Sequence, residues 1–166
     1  MSLIELLVVV AIVLVLAVVA LPVVYGMMRG ANRAECLGKL RMIGLGLEGY
    51  LGDHNDHFPE LEVGRESRGD DLPVLEKVLL EYVSGPGVFH CPEDRKLFDA
   101  SGSSYMWNST QSGRHKLQTS FFGTENQPER VPLVLDKESF HGEKKGTNML
   151  YADYHISNQV EFRTGP

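Results

Sequence analysis

Glu5 is the only charged residue before Arg29, and apolar residues surround it. A carboxylate in hydrocarbon costs roughly 2.5 kcal/mol or more, so this acid calls for an opposite charge. The nearest candidate is the amine of Met1, about one helical turn away on the same chain. If identical chains stack with an axial stagger, the Met1 amine of a neighbour becomes the partner, and Glu5 acts as a register device satisfied only in the assembly.

Three other groups of residues have the chemistry to form sites. Asp53, Asn55 and Asp56 in the stretch DHNDH offer three oxygens at spacings reminiscent of a calcium loop, although the central glycine and the twelfth-position glutamate of an EF-hand are missing. His141 and Asp153, with Asp136 and His155, fall at neighbouring strand ends. Two imidazoles and two carboxylates could bind zinc or run hydrolysis. Against catalysis, the chain has no H-E-x-x-H, no G-x-S-x-G and no paired-acid motif on a rigid element. Asp at a tight turn more often caps backbone amides, so a structural hydrogen-bond cluster is expected and no enzyme. Cys36 and Cys91 lack metal-ligand spacing. In an exported domain they predict one disulfide, and in a reducing compartment two ordinary thiols.

The elements that must position these residues begin with the apolar segment. Every residue from Leu6 to Leu21 is Ala, Val, Leu or Ile, a run long enough to cross a bilayer as a helix. No basic n-region and no small-residue cleavage site precede Pro22, so the segment is expected to be retained rather than removed as a secretory signal. Arg29, Arg33, Lys39 and Arg41 follow it and would place the rest of the chain in the cytoplasm. That conflict disappears if the numbering begins at a mature N-terminus from which a basic leader has been cut.

From Cys36 the apolar residues Leu40, Ile43, Leu47 and Tyr50 recur at helical spacing, with Lys39, Arg41 and Glu48 between them. One continuous helix is expected from about Ser2 to about Gly52, on the order of 75 Å long, kinked or locally released at Pro22. Gly26, Gly30, Ala34 and Gly38 lie four apart on one of its faces, which reads either as loose composition or as a groove that would admit another helix or a sheet closely. A second helix is expected over Leu72–Val83, capped by Asp70 or Asp71 and stopped by Gly85-Pro86-Gly87. Residues 100–130 read as loops with short strands at best. Strands are expected at 131–136 and 148–153, and a third through Ile156, Val160 and Phe162 after a turn at 153–155. The fold class is α+β. Residues 1–28 form the hydrophobic membrane or filament-core helix, and residues 29–166 a globular domain that includes the amphipathic half of the long helix. The net charge of −6 with no basic run speaks against nucleic acid as a partner. Asn108-Ser109-Thr110 fits a glycosylation sequon.

MSLIELLVVVAIVLVLAVVALP resembles the N-terminal region of class III signal-peptide proteins, the type IV pilins and the pseudopilins of type II secretion. CLGKLRMIGLGLEGYLGDHNDHFP, VFHCPED, SSYMWN and HGEKKGTNMLYADYH resemble the bacterial pilin-like proteins that end in an H-X9-DG motif. Here eleven residues separate His141 from Asp153, and Tyr154 stands where that motif has glycine. The resemblance implies cleavage by a prepilin peptidase, Met1 as the mature and N-methylated first residue, and assembly residues Glu5 and Pro22. It implies a pilin-like fold, a helical homopolymer built by pilus or secretion machinery, and passage from the inner membrane to a bacterial cell-surface filament. Pseudopilins bind calcium through a C-terminal loop, which does not correspond to Asp53, Asn55 and Asp56. The alternatives are a minor pseudopilin, or a membrane-anchored binding or enzymatic domain that never polymerises.

Overall fold

The computed structural model describes residues 2–125, 127–142 and 146–158, leaving aside the side chain of Thr124. Helix α1 (Leu3–Asp53) is a single element. Ser2 caps it, and Asn55 and Asp56 end it with left-handed φ of 52° and 61°, a conformation that Asn and Asp tolerate better than most residues. Pro22 does not interrupt α1, contrary to the release expected there. Proline removes one donor from the ladder, and the intact turns on either side hold the helical path.

The C-terminal half of α1 buries the stripe read from the sequence. Cys36, Leu40, Ile43 and Leu47 are inaccessible to solvent and Tyr50 is half-buried. Each such side chain contributes about 1.5–3 kcal/mol of burial. Opposite them lies a four-stranded antiparallel sheet. Helices α2 (Leu75–Val78) and α3 (Leu97–Ser101) come first in the chain. Strand β1 (Tyr105–Trp107) follows, then a two-stranded hairpin of β2 (Ser120–Phe121) and β3 (Thr124–Glu125). Strands β4 (Pro132–Asp136), β5 (Met149–Tyr151) and β6 (Ile156–Ser157) complete the main sheet in the order β1-β4-β5-β6. Trp107, Leu133, Val134 and Leu150 share one buried core with the helix stripe, together with Phe58, Leu75, Leu79 and Phe89. The fold is therefore α+β, a long N-terminal helix packed through one half on a small antiparallel sheet.

Close approach of α1 to its neighbours uses Gly44, Gly46 and Gly49, the last with Tyr82 Cδ1 3.2 Å from where a Cβ would sit. A Cβ on Gly46 would lie 2.7 Å from Val83 Cγ1, and one on Gly44 would press on Tyr154 and Leu150 at 3.3–3.4 Å. Gly26, Gly30 and Gly38 face open space instead.

The second helix is shorter than expected. It starts at Leu75 with Val74 extended and no side-chain cap, and a 3-10 turn over Leu80–Tyr82 continues it. Pro73 disfavours helical backbone at Leu72, which removes the Asp70 or Asp71 cap. Gly85-Pro86-Gly87 opens another 3-10 turn, Pro86–Phe89, rather than only stopping a helix. Helix α3 falls where no element was expected, and strand β1 lies in the stretch read as loops with short strands at best. The expected third strand begins at Ile156, and its Val160 and Phe162 lie outside the described residues.

Candidate functional site

The N-terminal half of α1 touches nothing in the domain. Every large apolar side chain from Leu3 to Met28 is at least 50% exposed, so no face is covered. The described residues hold one helix long and apolar enough to cross a membrane, with a mean hydropathy of 3.4 over its most apolar window. Glu5 sits at the tip. Its Oε2 accepts the Ser2 amide at 2.8 Å while Ser2 Oγ accepts the Ile4 amide at 3.4 Å. This is a capping box, a local use for Glu5 that the sequence reading overlooked, although Ser2-x-x-Glu5 is its signature. The cap leaves the charge of the carboxylate without a cation among the described residues. Met1, the expected partner, lies outside them.

The projecting half is coupled to the domain where α1 enters it. Cys36, the first buried residue of the helix, forms a disulfide with Cys91, 55 residues later. Around it, Asn32 Nδ2 donates to Glu93 at 2.7 Å, and Lys39 Nζ donates to the His90 carbonyl at 2.6 Å while pairing with Glu35 at 2.9 Å. The Cys91 amide donates to Ser104 Oγ, which in turn donates to Asp94 at 2.6 Å. Burial pushes the Asp94 carboxyl up, but the Ser104 hydroxyl and the amides of Lys96, Leu97 and Phe98 outweigh it and hold the group below the usual range. These amides open α3, so Asp94 fixes both that helix and the strap bearing Cys91.

The two oxygen and imidazole clusters come apart into separate contacts. In DHNDH, Asp53 accepts the Tyr82 hydroxyl at 3.1 Å, and Asp56 pairs with Lys116 at 2.8 Å, which lowers its carboxyl. The Asn55 carbonyl contacts His57 Nδ1. Of the four residues at the strand ends, Asp136 is buried against Asn148, whose amide and side chain both donate to its Oδ2 at 2.8–2.9 Å. Asp153 accepts the amide of His155 and contacts its ring at the β5–β6 turn. His141 stands elsewhere, its Nε2 3.6 Å from Cys91 Sγ. Tyr154 holds φ of 67°, the left-handed backbone that glycine would take without strain. Its ring packs over Gly44.

These placements describe an anchor-like helix with a capped acid at its tip and a disulfide at its root. No family model, curated protein or solved structure matches the chain.

Proposed function

We propose that the protein is a structural subunit of a type IV pilus-like filament. Its apolar half-helices would bundle into the core while the sheet domains tile the outside. The observation that carries this reading is the bare half of α1. Residues 3–28 extend a helix already locked into the domain, exposed all round and carrying one acid that has no cation among the described residues. Before assembly the bilayer would cover this surface, and in the filament neighbouring copies would. Glu5 would then pair with the Met1 amine of an adjacent subunit and fix the axial stagger. Prepilin peptidase and an assembly machine would be required partners, the inner membrane the first location and the cell surface the last.

The capping box favours a second reading, a membrane-anchored domain that does not polymerise, because it gives Glu5 a use in a lone chain. Two variants separate them. Glu5→Gln keeps an acceptor for the Ser2 amide and removes the charge, whereas Glu5→Leu removes both. If Glu5 sets register, both variants leave a folded, membrane-held monomer without filaments, because a buried ammonium loses its partner at a cost of about 3–5 kcal/mol per subunit. Imaging of sheared cell-surface material, with mass spectrometry of the N-terminal peptide, reads the outcome. Abundant filaments of normal spacing from Glu5→Leu cells would overturn this role and favour the anchored domain.

A further inference from the structure

Cys36 Sγ, Cys91 Sγ and His141 Nε2 lie within 4.8 Å of one another. Three separate elements bring them there. Cys36 comes from the buried face of α1, Cys91 from the strap after the 3-10 turn, and His141 from the turn that follows β4. Both cysteines are fully buried and His141 is half-buried. In the oxidised chain His141 Nε2 lies 3.6 Å from Cys91 Sγ, and a disulfide sulfur is only a weak hydrogen-bond acceptor. Two thiolates with one imidazole are, by contrast, a borderline-soft donor set suited to zinc, whose bonds to sulfur are about 2.3 Å and to nitrogen about 2.0 Å.

We infer that the reduced chain binds one zinc ion through Cys36, Cys91 and His141, so that this corner exists either as a disulfide or as a three-ligand metal site. The Cα atoms of the two cysteines are 5.1 Å apart, and rotation about the Cα–Cβ bonds separates the sulfurs enough for each to reach a common ion. The fourth position is left to water. The exchange balances with a dithiol reductant. One of its thiolates attacks a sulfur of the disulfide to form a mixed disulfide, and its second thiol then displaces the other cysteine. The reductant leaves as its own disulfide, and Cys36 and Cys91 become thiols. Zinc then displaces their two protons. The site does not depend on whether the apolar helix anchors a lone chain or builds a filament.

The test uses the full chain in detergent, reduced and freed of reductant under anaerobic conditions, then titrated with cobalt(II) and back-titrated with zinc(II). Circular dichroism in the aromatic region, where the buried Trp107 reports packing, is followed in the same samples. One equivalent of cobalt giving sulfur-to-metal charge-transfer absorption, displaced by one equivalent of zinc, is expected from the reduced chain and not from the oxidised one. His141→Ala should weaken zinc binding by at least about tenfold, since even the loss of an outer-shell partner costs 10–100-fold. A Cys36→Ser/Cys91→Ser chain should show no such absorption. Binding without that absorption, binding equal in His141→Ala, or a reduced chain whose aromatic signal is lost and not restored by zinc would each overturn the inference.

Discussion

At the end of β4 burial pushes the Asp136 carboxyl up to about 6, against the hydrogen bonds from Asn148 that pull it down. Its Oδ1 and the Asn148 Oδ1 are both buried without a partner among the described residues, so a proton on Asp136 would supply the missing donor. Because the folded pKa lies above the ordinary carboxylate value of 3.8, the native state binds the extra proton. The stability this group contributes is full below 3.8 and is lost as pH rises through about 6. Asp136→Asn keeps an acceptor for Asn148 and carries no charge. Its stability relative to the parent should therefore grow between pH 4 and pH 7 by up to about 3 kcal/mol, as read by urea unfolding at both values. An equal difference at the two values would show that Asp136 does not titrate in this range. Asp94 works in the opposite sense, since its lowered carboxyl stabilises above its unfolded pKa and loses that contribution as pH falls. Neither environment was legible in the sequence. Asp94 reads as one acid in CPEDRK, and Asp136 as the last residue of a strand. Their surroundings come from Ser104 and Asn148, which only the folded sheet brings near.

The elements most legible in the sequence were those with a long period. The Cys36–Leu47 stripe repeats over several turns, and VPLVLD and NMLYAD are dense in apolar residues, so the helix face and two strands could be read directly. Strand β1 could not. It is three residues between polar stretches, and its strand character comes from pairing Tyr105 with Asp136 and Trp107 with Val134 across a long loop. The glycines of α1 carry a contrast the sequence also hides. Gly38→Ala meets open space, so it should stabilise the isolated chain by up to about 1 kcal/mol through helix propensity. Gly46→Ala should destabilise by about 1–3 kcal/mol despite the same gain, because its Cβ runs into Val83. Thermal unfolding followed by circular dichroism distinguishes the two, and equal shifts of the same sign would mean that α1 does not rest on the Val83 segment as described. If the Gly26–Gly38 face packs on a neighbouring helix, Gly38→Ala should also lower filament yield while raising the stability of the monomer.

Across the whole molecule, a bare helix and a compact domain meet at one place, and the disulfide sits there. Cys36 marks the point at which α1 becomes buried, and Cys91 lies on the strap that Ser104 and Asp94 hold against the sheet. A load passing between the apolar half and the domain runs through this crosslink, the Lys39 contact to His90 and the Asn32–Glu93 hydrogen bond. Closing a loop that spans 55 residues should stabilise the fold by about 4 kcal/mol on the chain-entropy account. Cys36→Ser/Cys91→Ser should lower the unfolding midpoint by on the order of 10 °C. The loss should also be uneven. Amides of residues 88–94 should exchange faster with deuterium, because the strap loses its covalent hold, whereas those of residues 6–20 should be unchanged, because no contact there depends on the domain. Uniform acceleration along α1 would mean that the helix is stable only as a dependant of the sheet. An unchanged midpoint would mean that the core alone holds the strap, with the crosslink free to open at little cost.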